Sequence, residues 1–329
     1  MFSKKDLGNL IIAPIETYFL DNKTKELITN YGVCNFILFK KNIKDPIKLS
    51  KLINDIKILC KTQRLPTPLF AIDQEGGRVQ RLAPPYWPSI PSNKDVGESE
   101  DPFTKIVEQA SKIVNVLKST NINLNLAPVL DLKTDITNEV LLERCYNSDE
   151  EKVSILGSMY IQIFNENRIL CCAKHFPGIG SITKDPHKDI PLVNSNLKEL
   201  KRHLLPFISA IKAKIPCIMT SHVIYQCLDE NIATYSYRIA TLLLKESLGF
   251  KGILITDDME MEGTGEGKIS QKALKAFMAG HDLILVCQST ENVKAILVDF
   301  YKEIENPSFN KRVCDALTRI KNIRSKFLV

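Results

Sequence analysis

The chain has 329 residues, 44% of them hydrophobic and 25% charged, the balance of a globular protein with a sizeable core. Its net charge of +6 comes from scattered lysines. The densest runs, Lys40 with Lys41 and Lys201 with Arg202, carry no interleaved aromatic residues, which argues against a nucleic-acid partner.

No apolar stretch approaches the roughly 20 residues that a membrane span needs, so no membrane partner is expected. The N-terminal MFSKKDLGNLIIAPIE has a basic patch but no cleavage pattern. Nine cysteines is an odd number, no C-x-x-C pair occurs, and Cys34, Cys171, Cys172, Cys217 and Cys287 sit inside apolar runs. There a free thiol behaves as a small hydrophobe. A soluble protein of a reducing compartment, the cytoplasm, is the expectation.

Apolar runs of strand length recur at 10–14, 34–39, 69–73, 124–130, 169–175, 217–222, 253–257 and 283–287. Between them lie helical patterns at 47–62, 102–120, 149–167, 196–213, 237–248 and 269–279, with two more at 291–304 and 310–327. In 102–120, for example, Phe103, Ile106, Val107, Ala110, Ile113, Val114 and Leu117 follow the i, i+3, i+4 spacing of an amphipathic helix. Strands alternating with helices predict parallel βαβ units, and eight such strands predict an α/β protein built as one TIM-type (β/α)8 barrel. No linker composition interrupts the series, so residues 1–329 are expected to form a single domain.

A barrel places its chemistry at the C-terminal ends of its strands. There the sequence is polar. Strand two ends at Lys40 and Lys41. Strand three runs into Asp73, Gln74 and Glu75, then through Gly76, Gly77 and Arg78 to Arg81. Strand four ends at Asp131, five at Lys174 and His175, six at Ser221 and His222, and seven at Thr256, Asp257 and Asp258. Helix N-capping accounts for Asp131 and is open to Asp258. It does not account for a lysine–histidine pair or for two adjacent aspartates.

The segment 171–191 is the most heavily equipped loop. Pro177, Gly178 and Gly180 break regular structure after Lys174 and His175, and Gly178 with Gly180 reads as a hinge. Beyond them come Asp185 and His187. Residues two apart in extended geometry point the same way, so Asp185 can orient the His187 imidazole and raise its pKa into the range of a proton donor.

At the end of strand seven, Asp257 can serve as nucleophile, base or metal ligand. A metal is not expected. The chain has five histidines and neither H-x-H nor H-E-x-x-H, and His203 and His281 fall outside the strand ends. Gly263 to Gly267 is glycine-rich but lacks a phosphate-loop pattern. No cofactor is expected.

Four segments, AIDQEGGRVQRL, NLAPVLDL, KHFPGIG followed by DPH, and LITDDMEMEG, occur in this order. Together they resemble the family 3 glycoside hydrolases, and within them the single-domain β-N-acetylglucosaminidases (β-hexosaminidases) of bacterial peptidoglycan recycling. The resemblance runs over residues 11–287. It implies Asp257 as catalytic nucleophile, His187 as acid/base with Asp185 as its partner, and Asp73, Arg81, Arg144, Lys174 and His175 as the grip on a terminal N-acetylglucosamine.

By that resemblance the substrate is a small carbohydrate, an N-acetylglucosamine-terminated muropeptide; for an isolated barrel a monomer is the expectation. A β-glucosidase-like specificity, phosphorolysis, or a non-catalytic sugar-binding barrel are the alternatives. Two positions depart from the pattern: Ile179 where relatives carry histidine, and Pro186 where they carry serine. Asp258 is assigned to bracing the strand end.

Overall fold

The computed structural model describes residues 2–182, 191–193 and 196–328. Asp185, Pro186 and His187 lie outside the described residues. Eight strands form one sheet: β1 (Ile11–Pro14), β2 (Asn35–Leu38), β3 (Leu69–Ile72), β4 (Leu124–Asn125), β5 (Leu170–Phe176), β6 (Cys217–Thr220), β7 (Ile253–Ile255) and β8 (Ile284–Leu285). Their order is β7-β6-β5-β4-β3-β2-β1-β8, and every neighbouring pair is parallel.

A parallel bridge between Ile255 and Leu283 closes the barrel. Side chains reinforce this short seam. Thr256 Oγ1 accepts from Leu285 N–H at 2.9 Å, and the fully buried Asp282 accepts from Leu254 N–H at 2.9 Å and from Lys245 Nζ at 3.0 Å.

Helices follow the strands: α1 (Asn22–Tyr31), α2 (Pro46–Thr62), α3 (Pro102–Thr120), α4 (Glu150–Glu166), α5 (Leu197–Lys212), α6 (Arg238–Ser247), α7 (Ile269–Ala279), α8 (Thr290–Lys302) and α9 (Pro307–Phe327). Their starts obey side-chain capping. Asp45, Asp101, Asp149 and Asn196 each accept a backbone N–H from the first turn of α2, α3, α4 and α5. One hydrophobic core runs through the strands and the inner helix faces, including Phe36, Phe70, Phe176 and Phe277.

The α/β barrel expectation holds. Helix α1 is absent from the sequence reading because it buries only Thr24, Leu27 and Ile28. Its signals were the caps: Asp21 accepts from Thr24 N–H, and Gly32 ends the helix at φ +72°. The run expected as a strand over 124–130 is paired only at Leu124–Asn125, with an isolated bridge from Val129 to Lys174. Pro128 within it has no N–H to give the ladder. Helix α6 is of the π type, a distinction that apolar spacing does not carry.

Candidate active site

The loop after β3 is built before it is charged. Its Gln74–Gly76 and Val79–Gln80 segments pair antiparallel. Buried Gln74 accepts from Arg81 N–H at 2.9 Å and Leu82 N–H at 3.0 Å, and donates to the Leu82 carbonyl at 2.9 Å. Asn125 on β4 holds the same loop, accepting from Gln74 N–H and donating to its carbonyl. At Gly76, φ is +103° and a Cβ would stand 2.2 Å from the Pro91 carbonyl oxygen, so a side chain has no room.

This loop projects Asp73, Glu75 and Arg81 over the barrel mouth. Lys174, at the end of β5, donates to Asp73 Oδ1 at 2.9 Å and pairs with Glu75 Oε1 at 2.8 Å. Arg144, just past the short helix Glu139–Leu142, grips Glu75 with two parallel bonds of 2.8 and 2.9 Å. Arg81 reaches Asp73 Oδ2 at 3.3 Å. The Glu75 and Lys174 side chains are only 1% and 4% exposed. Burial works to raise the Glu75 pKa, but Arg144 and Lys174 outweigh it and hold the carboxyl far below the usual range. Burial opposes the charge on Lys174 as well, and Asp73 and Glu75 reverse that effect and keep its pKa raised.

His175 is positioned from behind. Its Nδ1 lies 2.7 Å from Oδ2 of the fully buried Asp131, and Asp131 Oδ1 accepts from Ile179 N–H at 2.8 Å. An ionised carboxylate only accepts, so Nδ1 carries the proton. Burial would raise the Asp131 pKa, but His175 and these hydrogen bonds bring it down. Asp131 is thus no helix cap. It is the anchor of His175 and of the loop that follows.

That loop corrects a second expectation, because Gly178 to Ile182 is fastened rather than free to hinge. Tyr225 OH donates to the Gly178 carbonyl at 3.0 Å, and Thr134 and Thr137 donate to the Gly180 carbonyl at 3.0 and 2.6 Å. Ser181 Oγ lies 3.0 Å from His203 Nε2. A Cβ on Gly180 would stand 1.6 Å from the Leu132 carbonyl oxygen, so glycine here serves close approach. Ile179, which departs from the family pattern, is buried against this segment.

Strand β7 delivers Asp257 two residues beyond its end. Asp257 Oδ1 accepts from Asp258 N–H at 2.8 Å, and the other oxygen has no hydrogen bond among the described residues. Burial works to raise the Asp257 pKa. The neighbours His175 and His222, the Asp258 N–H and Lys174 more than offset it, so the carboxyl is held ionised below the usual range.

Asp258 also lines the cavity, and it braces the barrel. Its Oδ1 accepts from Glu260 N–H at 3.1 Å and from Cys287 N–H at 3.2 Å, beyond the end of β8. Burial raises the Asp258 pKa to about 7, with the charges of Glu260 and Asp257 adding to it. His222 sits beneath, its Nε2 2.9 Å from the Asp258 carbonyl and its Nδ1 2.8 Å from Thr234 Oγ1, and burial lowers its pKa.

These groups surround one cavity of about 730 Å³, lined by Asp73, Arg81, Arg144, Lys174, His175 and Asp257 among others. That size suits a bound sugar. Six of the eight residues singled out from the sequence therefore converge on one space, and the other two, Asp185 and His187, lie outside the described residues. Sequence reasoning gave no role to Glu75 and only a cap to Asp131, the two acids that hold the cavity's cations and His175 in place. Among the described residues no cluster of His, Cys, Asp and Glu could hold a metal ion, and no helix is long and apolar enough to cross a membrane.

The family model described as "Glycosyl hydrolase family 3 N terminal domain" matches residues 6–323. The chain is 30% identical over 349 residues to Beta-hexosaminidase A of Pseudoalteromonas piscicida, covering 98% of this chain and 58% of that protein. It is 31% identical to the Beta-hexosaminidase of Psychromonas ingrahamii, covering 97% of this chain and 93% of that one. A solved glycoside hydrolase family 3 β-N-acetylglucosaminidase from Paenibacillus sp. str. FPU-7 superposes with a TM-score of 0.95 at 29% identity, over 100% of this chain and 63% of that one. This chain thus spans less than two thirds of the first and last of these relatives and nearly all of the second. The chain belongs to glycosyl hydrolase family 3.

Proposed function

We propose that the chain is a retaining exo-β-N-acetylglucosaminidase that removes terminal N-acetylglucosamine from peptidoglycan-derived muropeptides. The observation that carries the reading is Asp257: an ionised carboxylate just past the end of β7, one oxygen uncommitted among the described residues, in a cavity also lined by Asp73, Arg81, Arg144, Lys174 and His175. Names of similar proteins support the substrate class, since two are β-hexosaminidases and a third is a β-N-acetylglucosaminidase.

In this mechanism an Asp257 oxygen attacks the anomeric carbon while the bond to the leaving oxygen breaks. His187, oriented by Asp185, gives that oxygen its proton. Water then attacks the glycosyl-enzyme, neutral His187 takes its proton, and Asp257 leaves as carboxylate. Lys174, Arg81 and Arg144 are obligate donors and fix the sugar's hydroxyls, Asp73 accepts from them, and His175 completes the grip. All nine cysteines are free thiols, which supports a cytoplasmic setting. The enzyme works as a monomer built as a single barrel domain.

Initial rates on p-nitrophenyl β-N-acetylglucosaminide and on the matching β-glucoside test the reading. The N-acetylglucosaminide is cleaved at least tenfold faster, by about 1.4 kcal/mol in the transition state. Preferential cleavage of the glucoside would assign a β-glucosidase. Binding of N-acetylglucosamine without turnover of either would assign a sugar-binding barrel.

A further inference from the structure

The chain is held on either side of Asp185 and His187. Beyond them, Leu192–Val193 pairs with Ile224–Tyr225 as a short parallel ribbon, and Ile224 N–H donates to the Pro191 carbonyl at 3.0 Å. Before them, Tyr225, Thr134 and Thr137 take the carbonyls of Gly178 and Gly180. Among the described residues Ser181 adds the side-chain tie nearest to the pair. Its hydroxyl donates to Glu199 Oε1 at 3.2 Å and lies 3.0 Å from His203 Nε2. Glu199 and His203 stand one turn apart on one face of α5. The helix that follows the Asp185–His187 segment thus grips the chain that precedes it, across 18 and 22 residues of sequence.

Proton counting sets the direction of these bonds. A hydroxyl has one proton and a carboxylate oxygen can only accept, so Ser181 donates to Glu199. Ser181 Oγ then accepts from His203, which puts the imidazole proton on Nε2 and leaves Nδ1 bare. Nδ1 is buried and has no hydrogen-bond partner among the described residues. Burial lowers the His203 pKa, Arg202 adds to this, and Asp131, Glu199 and Glu150 oppose it, so the ring is neutral at pH 7. A buried polar atom without a partner carries a cost that an apolar side chain here would avoid. What the imidazole supplies is the Nε2–H at Ser181 and a flat edge against Gly178. A Cβ on Gly178 would stand 2.9 Å from the His203 Cβ and 3.3 Å from Nδ1.

We infer that Ser181, Glu199 and His203 are positioning residues for the proton donor, fixing the chain just ahead of Asp185 and His187. The inference rests on the reading of His187 as acid/base given above. None of the three touches the reacting atoms in this scheme. They act by limiting where His187 can stand, since each released residue adds up to about 3.5 Å of reach to the chain that carries it. Proton transfer needs its donor within hydrogen-bond distance of the leaving oxygen, so a looser segment delivers the proton less often.

The test compares kcat/KM on two substrates. One is the β-1,4 disaccharide of N-acetylglucosamine, whose leaving hydroxyl needs a proton. The other is 2,4-dinitrophenyl β-N-acetylglucosaminide, whose leaving phenolate does not. His203→Phe fills the space without an N–H. It should lose about 10–100-fold on the disaccharide and less than about threefold on the dinitrophenyl glycoside. Ser181→Ala removes one hydroxyl and should separate the two substrates in the same sense. His203→Gln places an amide N–H near the position of Nε2 and should bring the disaccharide back to within about threefold of wild type. The urea midpoint of each variant establishes that it is folded.

Equal losses on both substrates overturn the positioning role, as do unchanged disaccharide kinetics in His203→Phe and Ser181→Ala. A His203→Gln variant as impaired as His203→Phe overturns the part given to the Nε2–H. His187→Ala is the reference that separates this inference from the reading beneath it. If His187→Ala also loses equally on both substrates, the acid/base reading fails, and the positioning role falls with it. Wild type inert on both substrates removes the hydrolase reading itself.

Discussion

His175 Nδ1 and Asp131 Oδ2 stand 2.7 Å apart, joining the end of β5 to the chain beyond β4 with both side chains buried. This bond fixes the imidazole's tautomer, and Asp131 simultaneously ties down Ile179 N–H. Replacing Asp131 by Asn keeps the shape and removes the charge. The expected outcome is a loss of roughly 10–100-fold in kcat/KM on an aryl β-N-acetylglucosaminide, the same scale as losing the carboxylate that orients a metal-ligating histidine. Unchanged kinetics would mean that His175 needs no such anchor.

Glu75 is the counter-charge on which two buried cations depend. Glu75→Gln leaves Arg144 with no full negative partner and Lys174 with Asp73 alone. Breaking a buried pair from one side costs about 3–5 kcal/mol, so the urea midpoint should fall sharply. The comparison is Glu98→Gln, which breaks the 3.0 Å pair with Lys133 on the surface, both side chains more than a third exposed. That change should cost less than about 1 kcal/mol. Similar losses in the two variants would contradict the burial argument.

Asp258 makes stability depend on pH in an unusual sense. Its folded pKa of about 7 lies above the ordinary value near 3.8. Between these values the folded protein keeps a proton that the unfolded chain releases, so this group's contribution is complete below the lower value and is lost as pH rises through the upper one. Asp258→Asn cannot titrate and retains an oxygen to accept from Glu260 and Cys287 N–H. The variant should therefore gain on wild type in thermal midpoint from about pH 4.5 to about pH 7.5. A difference that stays constant, or moves the other way, would show that Asp258 ionises normally.

The architecture was legible because a barrel repeats one pattern: buried strands read as apolar runs, and polar residues gather where each run ends. Asp73, Lys174, His175 and Asp257 were found that way, without knowing which strands adjoin. Glu75 and Asp131 also stood at strand ends but their roles were missed, since their importance lies in what they face across the mouth, and sequence spacing carries no such adjacency. Glycines misled for a related reason. Gly180 looks like freedom in a sequence, but in the fold it lets the chain pass against the Leu132 carbonyl. Lys40 and Lys41, named from the sequence only as the end of strand two, stand on the cavity wall on a turn that Asn42 holds.

The central claim is that Asp257 attacks the sugar. Hydrolysis of p-nitrophenyl β-N-acetylglucosaminide by wild type and by Asp257→Ala measures it directly, with the urea midpoint confirming that the variant is folded. Release of p-nitrophenol should fall by roughly a thousandfold or more in the variant. Near-normal turnover by the folded variant would contradict the account.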